Sequence, residues 1–222
     1  NQTLSNGLAP SEFTFGGVGG SNNITMRASE YREGGRVSYA ASNRSYVGRV
    51  MASYSTGVNE EGWAFAILAS RRYGNEGYND ATLYDANSIF GAVEKKINDK
   101  HSLNLTAFFT PNRRGKSSPN TQEVFDLGGR TYNSYWGYQD GNKRNSRVRN
   151  IEEPVIMLNH YWDLNEKTTL NTNFAYQSGS IGNSRLDNGG TNLVTNSSGD
   201  QFLEGGGLNP DPTYYQKLPS YQ

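Results

Sequence analysis

Trp63-Ala-Phe-Ala-Ile-Leu-Ala-Ser-Arg-Arg-Tyr73 sets Trp63, Phe65, Ile67 and Ala69 against Ala64, Ala66, Ser70 and Arg72. Successive side chains of an extended chain point to opposite faces, so this period of two predicts a strand with one apolar and one more polar face. The same texture recurs on both sides. Arg36–Ala41 places Val37, Tyr39 and Ala41 together, and Tyr46–Ser55 places Gly48, Val50, Ala52 and Tyr54 opposite Arg49 and Ser53. His101–Phe109 alternates Leu103, Leu105, Ala107 and Phe109 with Asn104, Thr106 and Phe108. Thr168–Ser178 opposes Leu170, Thr172, Phe174 and Tyr176 to Asn171, Asn173 and Ala175. Tyr84–Ile97 and Pro154–Asp163 complete seven predicted strands. In Tyr84–Ile97 the adjacent Ile89 and Phe90 leave the facing open.

Composition points the same way. Of 222 residues only 34% are hydrophobic, against roughly 45–50% (glycine included) for an ordinary soluble domain, yet 12% are aromatic. The mean hydropathy is −0.78. Such a chain is too polar to fill a large conventional core, but it suits a sheet with one apolar face, a wet face and long polar loops, as in a transmembrane barrel. No apolar run approaches the roughly 18 residues of a membrane helix, so a membrane reading rests on strands. The absence of cysteine excludes disulfides, thiolate metal sites and cysteine nucleophiles, and a net charge of zero argues against nucleic acid as the main partner. Without a signal peptide or an initiator Met at residue 1, the chain reads as mature or excised material.

The connections alternate in length after the first. Thr56–Gly62, Asn98–Lys100 and Leu164–Lys167 are short, whereas Gly74–Leu83, Asn112–Glu153 and Gly179–Gln222 are longer. Outer-membrane barrels have short periplasmic turns and long extracellular loops. Ser42–Ser45 is the one short connection on the long-loop side. Trp63, Tyr73, Tyr84, Phe109, Trp162 and Tyr176 stand near strand ends, where interfacial aromatic girdles lie; the competing explanation is that Tyr and Trp favour strands anyway. An odd count of seven cannot close a standard bacterial barrel, so further strands are expected.

Gly16-Gly-Val-Gly-Gly-Ser-Asn-Asn-Ile-Thr-Met-Arg27 reads as a glycine turn leading into a short strand. It resembles the end of the plug domain of TonB-dependent outer-membrane receptors, with two additional small residues between Val18 and Asn22. Gly16, Gly17, Val18, Asn23 and Ile24 carry the match. Arg36-Val-Ser-Tyr39, Asn43-Arg-Ser-Tyr46, Gly62-Trp-Ala-Phe65, Ser70-Arg-Arg-Tyr73, His101-Ser-Leu-Asn-Leu105, Tyr135-Trp-Gly-Tyr138 and Leu158-Asn-His-Tyr-Trp162 look like barrel strands of such receptors, of Bacteroidetes type. The resemblance implies an all-β, antiparallel transmembrane barrel of 22 strands with an N-terminal plug. Residues 1–30 would end the plug, and 31–222 would form the first barrel strands with extracellular loops 112–153 and 179–222. It implies import of a scarce nutrient (glycan, peptide or siderophore) across the outer membrane. TonB would supply energy through the rest of the plug, and a surface lipoprotein lid is a further implied partner. The alternatives are a plug-less porin-like or adhesin-like barrel and a soluble carbohydrate-binding β-sandwich.

No enzyme and no cofactor are expected. Gly16–Gly20 lacks the following helix and Lys of a phosphate loop. Glu60-Glu61 and Glu152-Glu153 are adjacent pairs, which cannot flank one substrate as paired catalytic carboxylates do. His101 and His160 read as interface or lumen hydrogen-bonding groups rather than a metal site. The loop 112–153 carries Arg113, Arg114, Arg130 and Arg144, interleaved with Tyr132, Tyr135, Trp136 and Tyr138. Guanidinium groups with aromatic rings grip sugars and anions by stacking and paired hydrogen bonds. These eight residues are the candidate ligand set. The competing reading is a self-packed loop whose basic residues meet lipopolysaccharide or the loop's own acids, Glu123, Asp126 and Asp140.

Overall fold

The computed structural model of the chain describes residues 2–8, 17–139, 141–184, 192–195, 197 and 201–204. The protein is all-β and antiparallel. β1 (Gln2–Asn6) pairs with β2 (Gly20–Ile24), from Gln2 opposite Ile24 to Asn6 opposite Gly20. A single 3₁₀ turn at Ala28–Glu30 follows. The main sheet then begins with β3 (Gly34–Ala41), β4 (Gly48–Val58), β5 (Trp63–Gly74), β6 (Tyr84–Lys96) and β7 (His101–Phe109). An insertion contributes β8 (Asn112–Gly115), α1 (Gln122–Gly128), β9 (Trp136–Gln139), β10 (Asn142–Asn145) and β11 (Val148–Glu152). β12 (Val155–Asn165) and β13 (Thr168–Gln177) complete the wall, β14 (Ser180–Asn183) extends it, and β15 (Asn192–Thr195) pairs with β16 (Gln201–Glu204).

All seven predicted strands are present, and the sheet order β3-β4-β5-β6-β7-β12-β13 is their chain order. Among the described residues the sheet does not close. β3 pairs only with β4, and β13 only with β12. Gly16, Asp140, Gly189-Gly190, Gly205–Gly207 and everything from there to Gln222 lie outside the described residues.

The register sorts the side chains cleanly. Phe65, Val93, Leu105, Leu158 and Phe174 form one cross-strand row; Tyr54, Ile67, Gly91, Ala107, Ile156 and Tyr176 form the next. Val37, Ala52, Ala69, Ile89 and Phe109 form a third. These rows share one face and lie open, with Val37 79% and Ile67 61% exposed. Ile89 belongs to this apolar face. Phe90 turns the other way and meets Tyr31 edge-on at 5.8 Å, which resolves the facing of β6. The opposite face carries Ser55, Ser70, Glu94, Ser102, Asn104 and Thr106, all buried.

Asparagine side chains set the short turns. Asn59 Oδ1 accepts the Trp63 amide at 2.8 Å, Asn98 Oδ1 accepts those of Lys100 and His101 at 2.9 Å each, and Asn165 Oδ1 accepts that of Lys167 at 3.0 Å. Such contacts let Asn mimic a backbone turn. Gly62 closes the first of these turns at φ +79°, where a Cβ would sit 2.8 Å from the Lys96 carbonyl oxygen.

The long insertion is more ordered than its polar sequence suggests. Three strands break at the same height, at Pro111, Pro154 and Gly179, and then resume as β8, β11 and β14. Proline has no N–H to give the ladder, so each proline interrupts pairing without ending the wall. β8 pairs with β6 and β11, and β11 with β14, so the sheet rises beyond its apolar band into a polar extension.

Candidate functional site

Two places gather polar chemistry. The first is where the segment before β3 crosses the polar face of the sheet. Arg27 donates from Nη2 to Glu94 Oε1 at 2.6 Å and from Nε at 3.1 Å, and Nη2 also reaches Ser102 Oγ at 3.0 Å. The Ser29 amide donates to Glu94 Oε2 at 3.0 Å, and the Ala28 amide to Asn104 Oδ1 at 3.1 Å. The guanidinium lies over the Tyr161 ring, 4.0 Å from its centroid. The Glu94 side chain is 1% exposed and that of Arg27 23%. Burial works against charge on Arg27, but the hydrogen bond and charge of Glu94 outweigh it and raise the guanidinium pKa above its ordinary value. Around this pair Ala28, Ala64, Ala66 and Ala92 pack tightly, with Tyr31 and Phe90 against them. Small side chains on β5 and β6 let the segment come close enough for its backbone to bond the sheet.

The second place is a cleft of about 890 Å³ at the end of the wall bearing the longer connections. It is formed by the connection at Asn43–Ser45, by Tyr78–Tyr84 and by Arg114–Ser117. Arg44, Arg114 and Lys116 line it with Tyr78 and Tyr84, and among the described residues no acidic one does. None of the three cations forms an ion pair among the described residues. Arg114 stands opposite Tyr84 in the ladder, and Tyr84 leans on Tyr46 with ring centroids 5.9 Å apart.

A hydrogen-bonded cap holds the cleft's loops. Asn133, fully buried, accepts the Ser118 amide at 3.0 Å and donates to the carbonyls of Asp80 and Lys116 at 2.7 and 3.2 Å. Asn145 donates to the carbonyls of Ala81 and Lys116 at 3.0 and 2.9 Å. Glu76 pairs with Lys143 at 2.9 Å and accepts the Ala81 amide at 3.0 Å. Burial raises the Glu76 pKa, but the Lys143 and Ala81 hydrogen bonds and the Lys143 charge outweigh it, leaving the carboxyl below its ordinary value.

The eight candidate ligand residues divide. Arg114 lines the cleft. Arg113 stands opposite Asp85, and Arg130, Arg144 and Tyr138 are exposed elsewhere on the insertion. Tyr132 is buried against Gly128, which raises its pKa, and its hydroxyl has no partner among the described residues. Tyr135 lies under Arg147 at 5.3 Å, and Trp136 under Lys143 at 4.3 Å and edge-on to Tyr138 at 5.7 Å. The self-packed loop accounts for these rings, with Glu76 as the acid that meets Lys143; Asp126 instead accepts a hydrogen bond from Gln122 at 2.7 Å.

Of the strand-end aromatics, Trp63, Tyr73, Phe109, Trp162 and Tyr176 share the parity of the apolar face, whereas Tyr84 shares that of the polar face and lines the cleft. Of the glycine-rich motif, Gly17 accepts the Gly20 amide at 3.0 Å, Val18 is exposed, and Asn23 and Ile24 lie in β2. The sequence reading missed β1, the Arg27–Glu94 pair and the cleft's Arg44, Lys116 and Tyr78. Among the described residues no group of three or more His, Cys, Asp or Glu is placed to hold a metal ion. No family model matches the chain, and no curated protein or solved structure matches it either.

Proposed function

We propose that this chain is the plug–barrel junction and part of the wall of a TonB-dependent outer-membrane importer. Three features support the reading. The first is the open apolar face. Leaving a large apolar side chain in water rather than burying it forgoes about 1.5–3 kcal/mol, and this face carries whole rows of them. Contiguous apolar patches of this extent mark membrane or partner surfaces. The second is its height. Trp63 and Tyr73 lie ten residues apart on β5, about 34 Å along the strand. At the usual barrel tilt that becomes about 25 Å, the height of the apolar band between aromatic girdles. The third is the segment on the polar face, and it carries the most weight. A porin keeps its lumen open, whereas here residues 26–31 lie against the sheet's polar side through the buried Arg27–Glu94 pair.

On this reading the free edges of β3 and β13 meet further strands, because unpaired backbone groups in lipid cost several kcal/mol each. The polar extension stands above the bilayer, and the cationic cleft is where ligand arrives. Its three cations, none of them ion-paired among the described residues, and its two tyrosines favour a ligand with carboxylate, phosphate or sulfate groups. A surface lipoprotein lid would cover this end, and TonB would act at the other through the plug.

The test is co-purification of the intact protein, from outer membranes, with the periplasmic domain of TonB. The reading expects a complex that is lost when the residues before β3 are deleted. Outer-membrane recovery without any TonB complex would instead support the plug-less barrel, and recovery in the soluble fraction would support the β-sandwich.

A further inference from the structure

His101 opens β7 and His160 lies diagonally across the ladder on β12, where His101 itself stands opposite Trp162. Both imidazoles share the apolar face's parity; His101 is one residue beyond the Asn98–Lys100 turn, and His160, opposite Leu103, is two residues further along the wall. His101 Nδ1 and His160 Nε2 are 3.1 Å apart, and the rings are parallel with centroids 5.3 Å apart. The Trp162 indole stacks on His101 with centroids 5.1 Å apart.

We propose that this pair is a two-histidine site for a late divalent transition-metal ion, with Cu²⁺ held most tightly. The two facing nitrogens lie on the line joining the ring centres, so each ring would turn by about 40° to aim its lone pair at a shared ion. A metal about 2.05 Å from each nitrogen would then subtend an N–metal–N angle of about 98° at the observed separation. That lies between the square-planar and tetrahedral angles, and imidazole suits Cu, Ni and Zn, with Cu²⁺ the strongest of the first-row divalent ions. One of the facing nitrogens carries the proton of the present hydrogen bond. That proton must leave the facing position before both lone pairs can reach the ion. Two waters of the aqua ion are replaced, and the rest complete its coordination. Adjacent strands hold both ligands in register, so binding requires the two rings to turn but no movement of the backbone.

Trp162 gives the site its own signal, because bound Cu²⁺ quenches an adjacent indole. The test titrates CuCl₂ into the full chain in detergent micelles, following tryptophan emission and the copper paramagnetic resonance spectrum. The proposal expects one saturable equivalent, a spectrum showing two nitrogen ligands, and a partial loss of emission. Trp162→Phe should keep the copper signal and lose the quenching. His160→Asn and His101→Gln should each weaken binding about tenfold or more. Having two ligand variants keeps the result readable if one fails to fold, as judged by circular dichroism. Absence of saturable binding, or binding that folded His160→Asn or His101→Gln leaves unchanged, overturns the proposal.

Discussion

Arg27→Ala tests the junction most sharply. The substitution removes two of the hydrogen bonds on the Glu94 carboxylate and leaves the Ser29 amide. The charge centres of such a pair lie about 4 Å apart, where an effective dielectric near 20 gives about 4 kcal/mol. Stranding one partner of a buried pair costs about 3–5 kcal/mol, in agreement. The Glu94 side chain is 1% exposed, so water cannot replace Arg27 without opening the segment. The chain has no cysteine, so Ala28→Cys supplies a single probe at a fully buried position. Maleimide labelling of that thiol reports how often residues 26–31 leave the sheet. At about 1.4 kcal/mol per tenfold, adding Arg27→Ala should speed labelling about 140-fold to 3,700-fold, without loss of strand content. Replacing both partners, Arg27→Ala with Glu94→Ala, should recover part of the difference, since no uncompensated charge remains. A change below about fivefold in Arg27→Ala would refute the idea that the pair holds the segment down.

Other consequences are simpler to test. Gly62→Ala should destabilise the β4–β5 turn by about 1–2 kcal/mol, measured by urea-dependent unfolding, because a Cβ at φ +79° is strained and meets the Lys96 carbonyl. Glu76 has a folded pKa below its ordinary value of 4.5, so its stabilisation is present above that value and is lost as pH falls through the folded one. The protection factor of the Ala81 amide, its exchange rate divided into the intrinsic rate at the same pH, should therefore fall in acid, and Glu76→Gln should remove that acid response. Ile67→Arg should cost about 2–4 kcal/mol in a bilayer, seen as a lower folded fraction in heat-modifiability gels, whereas Asn171→Arg on the exposed polar face should cost less.

The seven strands were legible because alternation is a local property. Leu103-Asn-Leu-Thr-Ala107 declares its two faces within five residues. The facing of β6 was not legible, because Ile89 and Phe90 are both apolar; Phe90 finds cover under Tyr31, a partner far away in the chain. The insertion read as a loop because Asn112–Gly115 and Val148–Glu152 show no clean alternation and are held chiefly by backbone pairing. The cleft gathers Arg44, Tyr78 and Lys116 from three connections, none distinctive alone. Arg27 was visible as the end of a glycine-rich motif, but its partner is 67 residues away in an otherwise ordinary strand.

The central claim is that one face of the β3–β13 wall meets lipid and the other meets water and plug. Single-cysteine spin labels on the intact protein in bilayers, placed at Ile67, Leu105 and Leu158 and at Ser53, Asn159 and Asn171, measure this directly. The account predicts high oxygen accessibility and little access to a water-soluble nickel chelate at the first three. It predicts low oxygen accessibility at the second three. Nickel accessibility at Ile67, Leu105 and Leu158 matching that of the polar face would contradict it.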